Sequence, residues 1–191
     1  MSDAAEIGQL EAVDDAQPGT RVCVGCRAPF AVTEANLALG SRERILALMT
    51  LARVEVERKN LPAALEYADR ADAALRQRSS TSVKGLNYLR GDILARMERN
   101  DEAERAFREE IRLFPQDAQA YKNLILLLVT EGRAQEATQL VFALEQASPT
   151  PPSYVAIATT LRTVGDINGA RYWRMKGLQQ FPNDESLRSL R

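Results

Sequence analysis

The sequence predicts an all-α fold of about four repeated, antiparallel helix pairs, and three observations predict it. Prolines and alanines recur on a beat of 33 to 34 residues, apolar residues recur every three to four positions within each period, and turn-forming residues divide each period in two. Pro182, Pro149 and Pro115 are separated by 33 and 34 residues, and Ala170, Ala137 and Ala103 keep the same intervals. Ala64 precedes Ala103 by 39 residues, the excess falling in the polar stretch Arg78 to Ser82. The composition, 45% hydrophobic and 27% charged in 191 residues, is that of a soluble globular chain.

The elements follow in chain order. Residues 1–40 read as an acidic segment, disordered or loosely ordered, that carries one CxxC. Five acids and no base fall in the first twenty residues, which leaves the remainder with a net charge of +4, too scattered for a nucleic-acid face. Residues 41–191 read as the repeat domain, with units at about 45–78, 84–117, 118–150 and 151–184 and a short C-terminal cap. The first unit keeps Leu48, Leu51, Ala52, Ala64 and Ala71, with Asn60 and Pro62 at its turn. In the second, Leu86, Leu89, Ile93, Leu94 and Met97 make one apolar face. Asn100 then reads as the N-cap of a helix with a stripe of Ala103, Ala106, Phe107, Ile111 and Phe114, ended by Pro115. Gly132 and Gly165 mark the turns of the last two units. The longest apolar run, Leu124 to Val129, is only six residues, far below the ~18 needed to cross a bilayer, and reads as core in mid-stack.

Chemistry is constrained chiefly by the absence of histidine, which removes the usual general base and the commonest metal ligand and excludes Ser-His-Asp and Cys-His catalysis. Cys23 and Cys26 form the only CxxC; a zinc ion there would need two further ligands, from carboxylates, water or a second chain. A metal or redox role for this pair is an alternative, and incidental thiols are the favoured reading. Gly165, Gly169 and Gly177 are scattered without the GK[ST] ending of a phosphate loop. The dense charges Glu102, Glu104, Arg105, Arg108, Glu109, Glu110 and Arg112 fall at helical spacing and read as a solvated face. Neither an enzyme nor a cofactor is expected. The acidic start lacks the basic and apolar regions of a signal peptide, so a cytoplasmic location is expected.

These residues together resemble the tetratricopeptide repeat family, whose unit of about 34 residues follows W-x2-L-G-x2-Y, A-x3-F, P. Gly91, Ala103, Phe107 and Pro115 match in the second unit, with Leu94 for the Tyr and Arg90 where Leu is usual. Tyr121, Leu124, Ala137 and Pro149 match in the third, where Ile125 and Val141 depart. Tyr154, Ala158, Ala170 and Pro182 match in the fourth, where Arg174 takes the aromatic place. The resemblance implies a right-handed α-solenoid, because no unit buries its apolar stripe alone, with a concave face lined by the first helix of each unit.

On that face the resemblance places Met49, Arg53, Val56 and Glu57, then Tyr88, Asp92 and Arg96, then Lys122, Leu126 and Thr130, then Val155, Thr159 and Arg162. Arg53, Arg96, Lys122 and Arg162 would be donors to carboxylates of a bound peptide. The expected function is a non-catalytic protein-interaction module of the adaptor, scaffold or co-chaperone-like kind. The carboxylate clamp of the chaperone-tail-binding branch is not reproduced at Met49, Arg53 and Leu89. A regulatory or interaction fragment of a larger enzyme or secretion or assembly system is a further alternative, and homo-oligomerisation stays open. The acidic stretch Asp3 to Asp15 could act as an internal competitor for the groove or as a solubilising tail, and the tail is favoured.

Overall fold

The computed structural model describes residues 10–11, 20–23, 29–31, 42–76 and 82–190, and nine helices are present among these described residues. Eight form four pairs: α1 (Arg42–Glu57) with α2 (Leu61–Arg76), α3 (Leu86–Arg96) with α4 (Asn100–Leu113), α5 (Ala118–Thr130) with α6 (Ala134–Ala147), and α7 (Pro151–Thr163) with α8 (Ile167–Gln180). The ninth, α9 (Glu185–Ser189), is a single short turn that packs on α7 and α8. The repeat domain is thus the all-α stack of helix pairs that the periodicity predicts. Ahead of it, β1 (Leu10–Glu11), β2 (Thr20–Cys23) and β3 (Pro29–Ala31) form a small antiparallel sheet in the order β1-β2-β3. Leu10 is in register with Cys23, and Arg21 with Phe30. The sequence reading assigned no strand to this segment.

All four turns inside the pairs have one design. Each ends its first helix in a Schellman motif, in which two amides turn back onto orphaned carbonyls across a left-handed residue. In the first pair Asn60 N–H donates to Glu55 C=O at 2.9 Å and Lys59 N–H to Val56 C=O at 2.9 Å. The same two bonds recur from Arg99 and Glu98, from Arg133 and Gly132, and from Asp166 and Gly165. Gly132 and Gly165 hold the left-handed place at φ 77° and 89°, while Lys59 and Glu98 hold it at 61° and 60° with a side chain attached. The turn after α3 also corrects one expectation. Arg99, not Asn100, is the N-cap of α4, and no side chain caps that helix. Asn100 is its first helical residue, and Arg99 instead pairs with Glu102 through two bonds of 2.7 and 2.8 Å.

Close helix packing depends on the small residues of the repeat. Ala64, Ala103, Ala137 and Ala170 are all buried, as are Tyr121, Leu124, Tyr154 and Ala158. Gly91 is indispensable to its pair: a Cβ there would lie 2.6 Å from the Phe107 ring, so even alanine forces α3 away from α4. One contiguous core runs from Ile45 on α1 to Leu187 on α9. It takes in Leu124, Ile125, Leu127 and Leu128, so the six-residue apolar run is largely interior. Each such fully buried side chain contributes roughly 1.5–3 kcal/mol relative to exposure. Among the described residues no helix is long and apolar enough to cross a membrane.

Candidate functional site

The contacts between units show which side of the stack is inside the curve. The first helices touch one another in succession, α1 to α3, α3 to α5 and α5 to α7. Consecutive second helices make no comparable backbone approach among the described residues. They are spanned by long side chains instead. Arg133 reaches Glu104 at 2.6 Å, Arg108 reaches Glu136 at 3.2 Å, and Lys176 reaches Glu145 at 2.6 Å. Helices that meet directly lie at the smaller radius, so α1, α3, α5 and α7 form the concave wall.

That wall is built outward from a buried carboxylate. Glu110 on α4 is fully buried and accepts the backbone N–H of Gly85 at 2.6 Å and of Tyr88 at 3.3 Å. It thereby caps α3, whose own N-cap, Gly85 at φ 87°, has no side chain to do so. Burial pushes the Glu110 carboxyl above its ordinary range, although these N–H donors pull the other way. A charged residue read as part of a solvated face is therefore an internal brace. The sequence held a signal for it, because Ala103, Phe107, Glu110 and Phe114 lie three and four residues apart on one stripe.

Fixed in this way, α3 presents three of the predicted residues together. Asp92 accepts from Arg96 Nε at 2.9 Å and from Asn123 Nδ2 of α5 at 3.3 Å, tying the second unit to the third. Tyr88 packs against Phe107 with ring centroids 6.2 Å apart. Its phenol is pushed above the ordinary range by burial first and by Asp92 second, so it remains a neutral hydroxyl. Asn123 was not singled out from the sequence; it lies next to Lys122, and its role depends on the unit-to-unit register.

The remaining expected residues differ in what they can offer a ligand. Arg53 and Lys122 make no ion pair among the described residues. Arg53 is exposed, and its Nη2 lies 3.9 Å from where a Cβ on Gly85 would stand, so the first unit reaches the start of α3. Thr130 and Thr159 are not free donors: Thr130 Oγ1 donates to Leu127 C=O and Thr159 Oγ1 to Val155 C=O, both at 2.7 Å. Met49 and Val56 are core, 3% and 9% exposed, and do not face the groove. Arg162 is exposed at the end of α7 and lines a cavity between α7 and α8. Cys23 ends β2, and Cys26 lies outside the described residues. No group of three metal-ligating side chains occurs among the described residues.

A stack of helix pairs with Schellman turns, small residues at the helix crossings and one wall of first helices defines an α-solenoid of the protein-interaction class. Residues 88–151 match the family model described as tetratricopeptide repeat. Over this stretch, which spans most of the second and third helix pairs, the chain is similar to the tetratricopeptide repeat (TPR) family. Comparison with curated proteins finds no match. Among solved structures, a thermophilic TPR protein of Thermus thermophilus is 20% identical, with 81% of this chain and 86% of that chain covered and a TM-score of 0.57. MamA is 18% identical over 72% of this chain and 78% of its own, at 0.53. PilW, a type IV pilus biogenesis factor, is 16% identical over 76% of this chain and 66% of its own, at 0.54. At these identities the likeness is one of fold.

Proposed function

We propose that the protein is a non-catalytic adaptor that holds a segment of a partner protein along its concave wall. The observation that carries this reading is the placement of two cations without an ion pair among the described residues, Arg53 and Lys122, on either side of the braced Tyr88–Asp92–Arg96–Asn123 cluster. Charges without internal partners on an otherwise ordered wall favour a ligand that supplies carboxylates, by charge-assisted hydrogen bonds. Asn123 and the Tyr88 hydroxyl add neutral groups that select orientation without adding charge. The half-buried Leu126 and Val155 offer an apolar footing beside them.

The test is capture of partners by the intact chain and by a variant carrying Arg53→Glu, Arg96→Glu and Lys122→Glu, with retained proteins compared by mass spectrometry. The expected result is a set of proteins kept by the wild type and lost by the variant, with affinity that falls as salt rises. Equal retention by the two forms contradicts the reading.

A further inference from the structure

The outward face of the second helices changes character along the stack. Four places of each, spaced three and four residues apart, point away from the core and are exposed. On α4 they hold Asp101, Arg105, Arg108 and Arg112, all charged. One period on, the same places of α6 hold Gln135, Gln139, Phe142 and Gln146, and those of α8 hold Asn168, Tyr172, Met175 and Gln179. The charge is gone from these places and three large apolar side chains have entered. Phe142 is 48% exposed, Tyr172 57% and Met175 49%. This exposure owes nothing to where the stack ends. Arg105 with Arg108, and Gln139 with Phe142, are exposed at the same places although a helix pair follows each.

Two of the three side chains are held by one ring. Trp173, itself buried, meets Phe142 of α6 and Tyr172 of α8 edge-on, each with ring centroids 5.5 Å apart. Lys176 lies 4.7 Å over the same ring and is neutralised by Glu145 of α6 at 2.6 Å. Met175 follows Tyr172 by three residues and adjoins it on the helix surface. Apolar side chains exposed singly need no explanation. Aromatics fixed in advance beside a methionine and flanked by amides have the make-up of an interface centre.

Charge and size both point to the occupant. The outward places of α6 and α8 carry no charge, so two copies of the face meet without like-charge repulsion, and a charged partner gains nothing there. Two 14-residue helices side by side, each about 21 Å long and about 10 Å wide, present roughly 400 Å². That is about half of the ~800 Å² that each partner buries in a standard interface, so the contact is weak and reversible.

We propose that the neutral face of α6 and α8 joins two copies of the chain about a twofold axis, with Phe142, Tyr172 and Met175 of each packed against the same side chains of the other. The face lies on the convex side, so the dimer leaves both concave walls open, and neither proposal requires the other.

Sedimentation velocity of the full chain over about 1 to 500 μM is expected to show monomer passing to dimer with a midpoint of about 10–100 μM, as suits an interface of half the standard size. Phe142→Lys with Met175→Lys, and Phe142→Glu with Met175→Glu, should each weaken the dimer about tenfold or more. An equimolar mixture of these two variants should restore a dimer at low salt and lose it at high salt, because opposite charges then face each other across the axis. Arg105→Ala with Arg108→Ala should leave the wild-type midpoint unchanged. All these positions are exposed, and thermal melts check that the variants fold. Gln139→Lys with Gln179→Lys replaces no apolar side chain and should also weaken the dimer, so the test stays decisive if the other variants unfold. A chain that stays monomeric throughout the range, as it would if a different protein covers this face, overturns the proposal. So does a dimer that survives the Lys and Glu variants, or a mixture of the two that stays monomeric.

Discussion

The two walls of the solenoid spend their charge differently. On the convex side, arginines and glutamates of the second helices satisfy one another. Arg133 bonds Glu104, Glu131 and Glu136 at 2.6 to 3.2 Å, and Arg108 joins Glu104 to Glu136. Arg112 closes on Glu109 and Lys176 on Glu145. On the concave side Asp92 pairs with Arg96 within α3, while Arg53 and Lys122 make no ion pair among the described residues. The difference follows from curvature. First helices already touch, so their contact is made by small and apolar residues and their charges need not bridge. Second helices diverge, and only long ionic side chains span the gap.

Predictions that break this contrast run from the largest effect on stability to the smallest. Phe107→Ala removes the ring that fills the Gly91 notch and should cost about 3–5 kcal/mol in urea unfolding. Gly91→Ala pushes the same two helices apart and should cost about 1–3 kcal/mol. Arg133→Ala strips the convex network of its hub; its partners are solvent-accessible, so the loss should be at most about 1 kcal/mol and should shrink in high salt. Glu98→Gly relieves a side chain held in the left-handed region and should raise stability by about 0.5–1 kcal/mol, the strain removed exceeding the entropy glycine adds. Reversing Lys122 to Glu should change stability by less than about 0.5 kcal/mol, because no ion pair holds it among the described residues.

Proton linkage distinguishes the exposed carboxylates of the second helices from the buried brace Glu110. Glu102, Glu104, Glu109 and Glu136 are held below the ordinary 4.5 by hydrogen bonds to their arginine partners. Their contribution is present above 4.5 and is lost as pH falls through their lowered values. Glu110 is shifted upward, so its contribution is fullest below 4.5 and declines as pH rises through the window above it. Urea midpoints of wild type and Glu110→Gln, compared from neutral pH downward, should therefore show the wild type gaining on the variant as pH approaches 4.5. A difference that stays constant with pH would show that Glu110 titrates as an ordinary carboxylate.

The sequence made legible whatever depends on period. The beat of Ala64, Ala103, Ala137 and Ala170 located the second helices, and Gly132 and Gly165 located two of the four turns. Asn60 with Pro62 and Asn100 marked the other two, but their left-handed residues, Lys59 and Glu98, gave no signal, because a left-handed residue with a side chain is set by the surrounding turn and not by its own preference. The cap at Asn100 was misplaced by one residue since Arg99 carries no capping side chain, and the turn is held by backbone bonds alone. Site residues were harder to read. Arg53 and Lys122 were found from the repeat frame, but their lack of partners depends on distances between units. Asn123 and Glu110 act across those same distances, and Met49 and Val56 proved interior because α1 turns that face inward.

The claim that the concave wall is the working surface is tested most directly by site-specific photocrosslinking. A photoreactive phenylalanine is placed at Leu126 on the inner wall of α5 or at the exposed Arg105 on α4, and each chain is irradiated among its natural partners. The account predicts a discrete crosslinked protein from position 126 that disappears when Arg53 and Lys122 are changed to Glu, and none from position 105. A partner captured from position 105 and not from 126 would contradict it.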